Sequence, residues 1–205
     1  MEWNKSLFSE APREFLLQPS LPDRALVVKP GYPVLIPAQE TGTFYLSIPV
    51  FVTIAIANKG KEHVIGTIPS RKLSDSWFGG PTVGEYCYSL PFSSERDLEA
   101  LSPRPNEIIC PVEILNDSED DLIFEKFCFR PKFLGIYSGD RNLWTKVVSI
   151  RYEGSFRGAE IRYNNSLPKG EENLLEITKP QIQAEKRFRP LTFSSSFGRD
   201  IIFVK

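Results

Sequence analysis

The run Phe44-Tyr45-Leu46-Ser47-Ile48-Pro49-Val50-Phe51-Val52-Thr53-Ile54-Ala55-Ile56-Ala57 carries the clearest structural signal in the chain. Its even positions, Phe44, Leu46, Ile48, Val50, Val52, Ile54 and Ile56, are all large and apolar. Alternate side chains of a strand point to opposite faces, so this set is expected to face a core. As one strand at about 3.3 Å per residue the run would span about 46 Å, which is longer than strands usually are. Pro49 has no N–H to give a ladder, so a bend, a bulge or an edge is expected there. The odd face holds Tyr45, Phe51, Ala55 and Ala57 and calls for partial cover by another segment.

The same period of two extends outward from this run. Glu62–Ile68, the aromatic-rich Glu85–Leu90, Glu107–Leu115, Leu122–Arg130, Phe133–Tyr137, Trp144–Glu153, Phe156–Tyr163, Leu174–Thr178 and Ile201–Val204 all read as strands. In Trp144–Glu153 the inward positions are Trp144, Val148, Ile150 and Tyr152. The polar run Asn116–Asp121 sits between two apolar runs and predicts a β-hairpin with a longer loop. Helix signals are thin. Ser94–Leu101 and Gln181–Phe188 could each form two turns, and 17 widely spread prolines oppose anything longer. The expected fold is all-β, an antiparallel β-sandwich of jelly-roll or immunoglobulin-like type with few short helices. A single domain is expected over residues 1–205, because no composition shift marks a linker. Its Pro-rich segment 1–30 would wrap the sandwich or add an edge strand, and about 165–205 would be a C-terminal extension.

Composition bounds the function. The 205 residues carry 25 basic and 26 acidic side chains, so no overall charge draws the protein to nucleic acid or an anionic membrane. No stretch is apolar for the roughly 20 residues a spanning helix needs, and the N-terminus lacks the pattern of a signal peptide. The three cysteines, Cys87, Cys110 and Cys128, show no CxxC spacing. They read as small buried hydrophobes in a reducing, cytoplasmic setting, with neither a disulfide framework nor a structural zinc site. His63 is the one histidine, so a catalytic triad or multi-histidine metal site would have to rest on it alone. It reads as a strand-end surface residue.

Few motifs carry chemistry. The acidic turn Asn116–Asp121 lacks the EF-hand glycine and distal glutamate and reads as a plain loop. Lys186-Arg187-Phe188-Arg189 reads as a solvated charge run, and the adjacent Glu171-Glu172 point apart and do not form an acid–base couple. The most unusual segment is Ser74–Tyr88, which combines three glycines with four aromatics. Glycine permits close backbone approach, and exposed aromatic rings stack on ligands. The candidate ligand or partner surface is therefore Trp77, Phe78, Gly79, Gly80, Tyr86 and Tyr88; the alternative is that these aromatics only close the end of the sandwich. The segment is no phosphate loop, since Lys-Ser/Thr does not follow Gly84.

Several short blocks occur in a recognisable order: Leu46-Ser47-Ile48-Pro49-Val50-Phe51-Val52, Phe78-Gly79 with Gly84-Glu85-Tyr86-Cys87, Val112-Glu113-Ile114-Leu115-Asn116-Asp117-Ser118, Phe127-Cys128-Phe129-Arg130-Pro131 and Gly135-Ile136-Tyr137. Over roughly residues 44–163 this order resembles the mainly archaeal family called domain of unknown function 432. The resemblance implies a cytoplasmic all-β protein and carries over no catalytic residue. The family is expected to have a basic residue just after the Cys87 position; here Tyr88 stands there.

Together these readings favour a non-enzymatic binding or protein-interaction module without a cofactor. Its partner would be a protein or a small ligand, and a homodimer could pair through a sheet edge, for instance near Pro49. The alternative is a carboxylate-dependent enzyme acting on carbohydrate or nucleotide on a jelly-roll-like fold.

Overall fold

The computed structural model describes residues 14–58, 61–82, 84–92, 106–154, 159–163, 166–168, 173–182 and 201–203. Its strands, in chain order, are β1 (Glu14–Ser20), β2 (Leu26–Pro30), β3 (Val34–Ile36), β4 (Thr41–Pro49), β5 (Phe51–Asn58), β6 (Lys61–Pro69), β7 (Ser74–Gly79) and β8 (Gly84–Phe92). They continue with β9 (Glu107–Asn116), β10 (Leu122–Phe129), β11 (Ile136–Ser138), β12 (Leu143–Trp144), β13 (Val148–Tyr152), β14 (Ala159–Tyr163), β15 (Leu175–Thr178) and β16 (Ile201–Phe203). One 3-10 turn, Pro131–Phe133, stands among them.

The strands form three sheets. The order is β1-β5-β6 in the first, β16-β10-β2-β8-β7 in the second with β3 also on β10, and β14-β13-β9-β12-β11-β15 in the third with β4 also on β9. The main core takes Leu26, Val28, Leu90, Phe124, Phe127 and Phe129 from the second sheet and Phe44, Leu46, Ile48, Ile108, Val112, Val148 and Ile150 from the third. Rings pack edge-on within it, with Phe44 5.9 Å from Phe92 and 5.7 Å from Phe124 between centroids. The expected inward set Trp144, Val148, Ile150 and Tyr152 is buried throughout.

The long alternating run is two strands. β4 ends at Pro49, and β5 starts at Phe51 in a different sheet. The Val50 N–H donates to the Asn106 carbonyl, while the Val50 carbonyl accepts from Ser70 N–H. Before the break the expected positions Phe44, Leu46, Ile48 and Val50 are buried. Beyond it the phase weakens: Val52 and Ile54 are only half-buried, whereas Phe51, Ala55 and Ile56 are buried. The reason is the partner. β5 lies between β1 and β6, whose side chains include the exposed Phe15, Leu17 and Ile68 opposite Ile56, Ile54 and Val52.

Three further expectations are corrected. The sheets are mixed, not antiparallel throughout, because β2 runs parallel to β8 and β9 runs parallel to both β12 and β13. The Pro-rich segment does supply the expected edge strand, β1 on the outside of β5, but it also supplies β2, where Leu26, Val27 and Val28 are all buried and the strand lies inside its sheet between β10 and β8. The third correction concerns Asn116–Asp121, which joins two sheets instead of closing a hairpin, since β9 and β10 belong to different ones. The fully buried Asn116 side chain makes this corner. Its amide donates to the carbonyls of Ile36 (3.0 Å), Pro37 (3.0 Å) and Asp120 (2.8 Å), and its oxygen accepts from Ser118. The carboxylates diverge: Asp117 pairs with Arg151, and Asp121 accepts from Ala38 N–H.

The possible helix Ser94–Leu101 lies outside the described residues. So do the Lys186–Arg189 cluster, Glu171-Glu172 and all of Gln181–Phe188 except the bend at Gln181 and Ile182. Among the described residues no helix is long and apolar enough to cross a membrane.

Candidate functional site

The hairpin β7–β8 ends the second sheet, and among the described residues no strand pairs with the outer edge of β7. Its register sets Trp77 opposite Tyr86, Asp75 opposite Tyr88 and Phe78 opposite Glu85. Cross-strand partners share a face, so Asp75, Trp77, Tyr86 and Tyr88 lie on one side, and Ser76, Phe78, Glu85 and Cys87 on the other.

On the first side the two large rings are open to solvent, Trp77 at 49% and Tyr86 at 52% exposure. The Trp77 indole N–H donates to the Gly80 carbonyl at 2.9 Å. A side chain at Gly84 would meet that indole and the Phe78 carbonyl within 2.7 Å, so only glycine lets the ring lie across the turn. Gly79, with φ of +118°, turns the chain out of β7.

Arg24, from the segment before β2, reaches across. Its guanidinium stands 4.6 Å from the Tyr86 ring centroid and 4.9 Å from that of Tyr88 and bonds Asp75 at 3.2 Å. Tyr88 donates to Asp23 at 3.1 Å and packs its ring 5.9 Å from Phe51, which ties the cluster to the core. Both phenols are held protonated above the ordinary tyrosine range, Tyr86 first by its bond to Asp75 and Tyr88 first by burial.

Of the six candidate surface residues, the structure brings Trp77, Tyr86 and Tyr88 onto one face, with Gly79 and Gly80 at its end. Phe78 is apart: it is 2% exposed and packs on the opposite face with Ala25, Val27, Cys87 and Cys128. Asp23 and Arg24 were not singled out from the sequence, because their place beside Tyr86 and Tyr88 depends on the pairing of β2 with β8. The Asp-Arg pair in a Pro-rich stretch carries no local signal.

The opposite face holds the one group among the described residues whose side chains could ligate a metal. One ligand atom each from Glu85, Cys87 and Cys128 lies within 4.8 Å of the others. Both cysteines are fully buried, and Glu85 makes an ion pair with Arg130. Cys110 lies elsewhere in the main core, where burial pushes its thiol up to about 12. His63 is exposed on β6, opposite Ile56.

A family model described as "Protein of unknown function (DUF432)" matches residues 1–197, and the chain belongs to that family. The match extends well beyond the segment over which the short blocks carried the resemblance. No curated protein and no solved structure matches the chain.

Proposed function

We propose that this family member is a non-catalytic protein-interaction module, a β-sandwich that binds an extended segment of a partner protein along the outer edge of β7. The observation that carries this reading is the cross-strand pair Trp77 and Tyr86, both half-exposed beside a strand whose outer edge no strand pairs among the described residues. An edge strand offers its N–H and C=O groups to an added strand, and large aromatic rings beside it supply contact area and selectivity. Tyr and Trp are the side chains most often found to dominate interfaces. Arg24, Asp23 and Asp75 add a polar rim of both charges, suited to a peptide that carries polar as well as apolar side chains. The sandwich reading draws support from the core shared by the second and third sheets. A cytoplasmic setting draws support from three buried cysteines with no disulfide between them.

The test is photo-crosslinking from a reactive group placed at Ser76 on β7 of the full chain, in its native cell extract, followed by mass spectrometry of the adducts. One defined protein crosslinked through an extended segment is expected, and its capture is lost in Trp77→Ala/Tyr86→Ala. Adducts that survive this double variant would defeat the assignment of the surface. Crosslinks between two copies, with a dimer in light scattering, would replace the partner protein by a homodimer paired through this edge.

A further inference from the structure

We propose that Glu85, Cys87 and Cys128 form a binding site for a thiophilic divalent cation of the zinc class, on the face of the second sheet opposite the Trp77–Tyr86 pair. Cys87 and Glu85 are alternate residues of β8 and therefore point to the same side. Cys128 on β10 is level with Val27 of β2, and β2 pairs in turn with β8. The two thiols share one buried cluster with Ala25, Val27 and Phe78, and the three ligand atoms lie within 4.8 Å of one another.

This arrangement suits a bridging ion and does not suit a disulfide. Val27 is opposite Ser89, so Cys87 lies two residues along β8 from the level of Cys128, and with β2 between the two strands their Cα atoms stand beyond the two strand spacings, roughly 9–10 Å, that separate β8 from β10. A disulfide needs less than about 7 Å. Two sulfurs bound tetrahedrally at about 2.3 Å from zinc stand about 3.8 Å apart, inside the 4.8 Å within which these ligand atoms lie.

The surroundings fit as well. Ala25, Val27 and Phe78 make an apolar wall, which favours a charge-neutral occupant. Two thiolates cancel a divalent cation, while Arg130 cancels Glu85. One Glu85 oxygen accepts from Arg130, the kind of outer contact that orients a ligating carboxylate. Lys126 flanks the site, its Nζ 5.9 Å from the Phe78 ring centroid. Loading breaks two S–H bonds and forms two metal–sulfur bonds; both protons pass to solvent and no oxidant is required.

The experiment uses the reduced, metal-stripped full chain and titrates it with Co²⁺, then with Zn²⁺ in competition. One equivalent is expected, with thiolate-to-cobalt charge-transfer absorption, two protons released per ion and displacement of cobalt by zinc. Cys87→Ser and Cys128→Ser abolish the absorption, Cys110→Ser retains it, and Glu85→Gln keeps it with affinity weakened at least about tenfold. Far-UV circular dichroism checks that each variant folds, and Glu85→Gln keeps the test decisive if a cysteine variant does not. Absence of the absorption in the parent chain overturns the proposal. So does its equal loss in Cys110→Ser, full affinity in Glu85→Gln, or a Cys87–Cys128 disulfide in the non-reduced digest. These readouts do not involve the β7 edge, so failure of partner capture leaves them intact.

Discussion

The two faces of the β7–β8 hairpin alternate residue by residue yet carry different chemistry. Trp77 and Tyr86 stand open beside Arg24, whereas Phe78, Cys87 and Cys128 close on one another with Glu85 and Arg130 at the margin. The contrast teaches that one short hairpin can hold an exposed aromatic pair and a buried apolar cluster back to back. The strand pleat alone separates them, without an extra layer of structure.

The sharpest way to break that contrast is to truncate neighbours. Phe78→Ala removes a ring that is 2% exposed and is expected to lower unfolding free energy by about 3–5 kcal/mol in denaturant titration. If Trp77→Ala costs as much, the two faces are not distinct. A smaller loss is expected at the corner that joins the sheet bearing the hairpin to its neighbour. Asn116→Ala leaves the carbonyls of Ile36, Pro37 and Asp120 without their donor, which is expected to cost about 2–3 kcal/mol in the same titration.

Tyrosines extend the comparison to pH. Burial, and then its 2.8 Å bond to Glu176, push the Tyr137 phenol up to about 12 from an ordinary 10.0. A pKa raised in the folded state gives stability that is full below the unfolded value and is lost as pH climbs through the folded one. The Tyr137 share of stability is therefore expected to fall by on the order of 1–2 kcal/mol between pH 10 and 12, and Tyr137→Phe should lessen the slope in denaturation curves taken across this range, leaving the part that the buried Cys110 thiol contributes. Tyr86, on the open face, should contribute nothing measurable to the slope. The least change in stability is expected for Trp77→Ala, under about 1 kcal/mol, since its ring is half in water and loses chiefly one hydrogen bond. A thermal melt close to that of the parent chain, together with lost partner capture, would sharpen the division of labour between the faces.

The sequence was most legible where burial is decided locally. Alternation located most strands, and Pro49 marked the point where one apolar run leaves its sheet for another. Period two tells which side of a strand is dry but not which strand lies beside it. For that reason the parallel pairing of β2 with β8 and the corner at Asn116 were missed, since both depend on contacts between distant segments. The same limit hid the Glu85–Cys87–Cys128 group. Glu85 and Cys87 are alternate residues of β8, but Cys128 is far from them along the chain and lies across the intervening β2, and no CxxC spacing announces the group. Phe78 was grouped with Trp77 because both are aromatic on one segment, although adjacent residues of a strand cannot share a face.

Gly84 has a consequence for recognition. By leaving room for the indole against the backbone, where the Gly80 carbonyl accepts from the ring N–H, it ties the half-exposed Trp77 ring to the turn of its own hairpin. Less side-chain freedom then remains to be surrendered on association, where each immobilised side chain commonly costs about 0.5–1.5 kcal/mol. In the proposed partner contact, a bulkier residue at position 84 is therefore expected to weaken the grip by setting that ring loose, although Trp77 itself is unchanged.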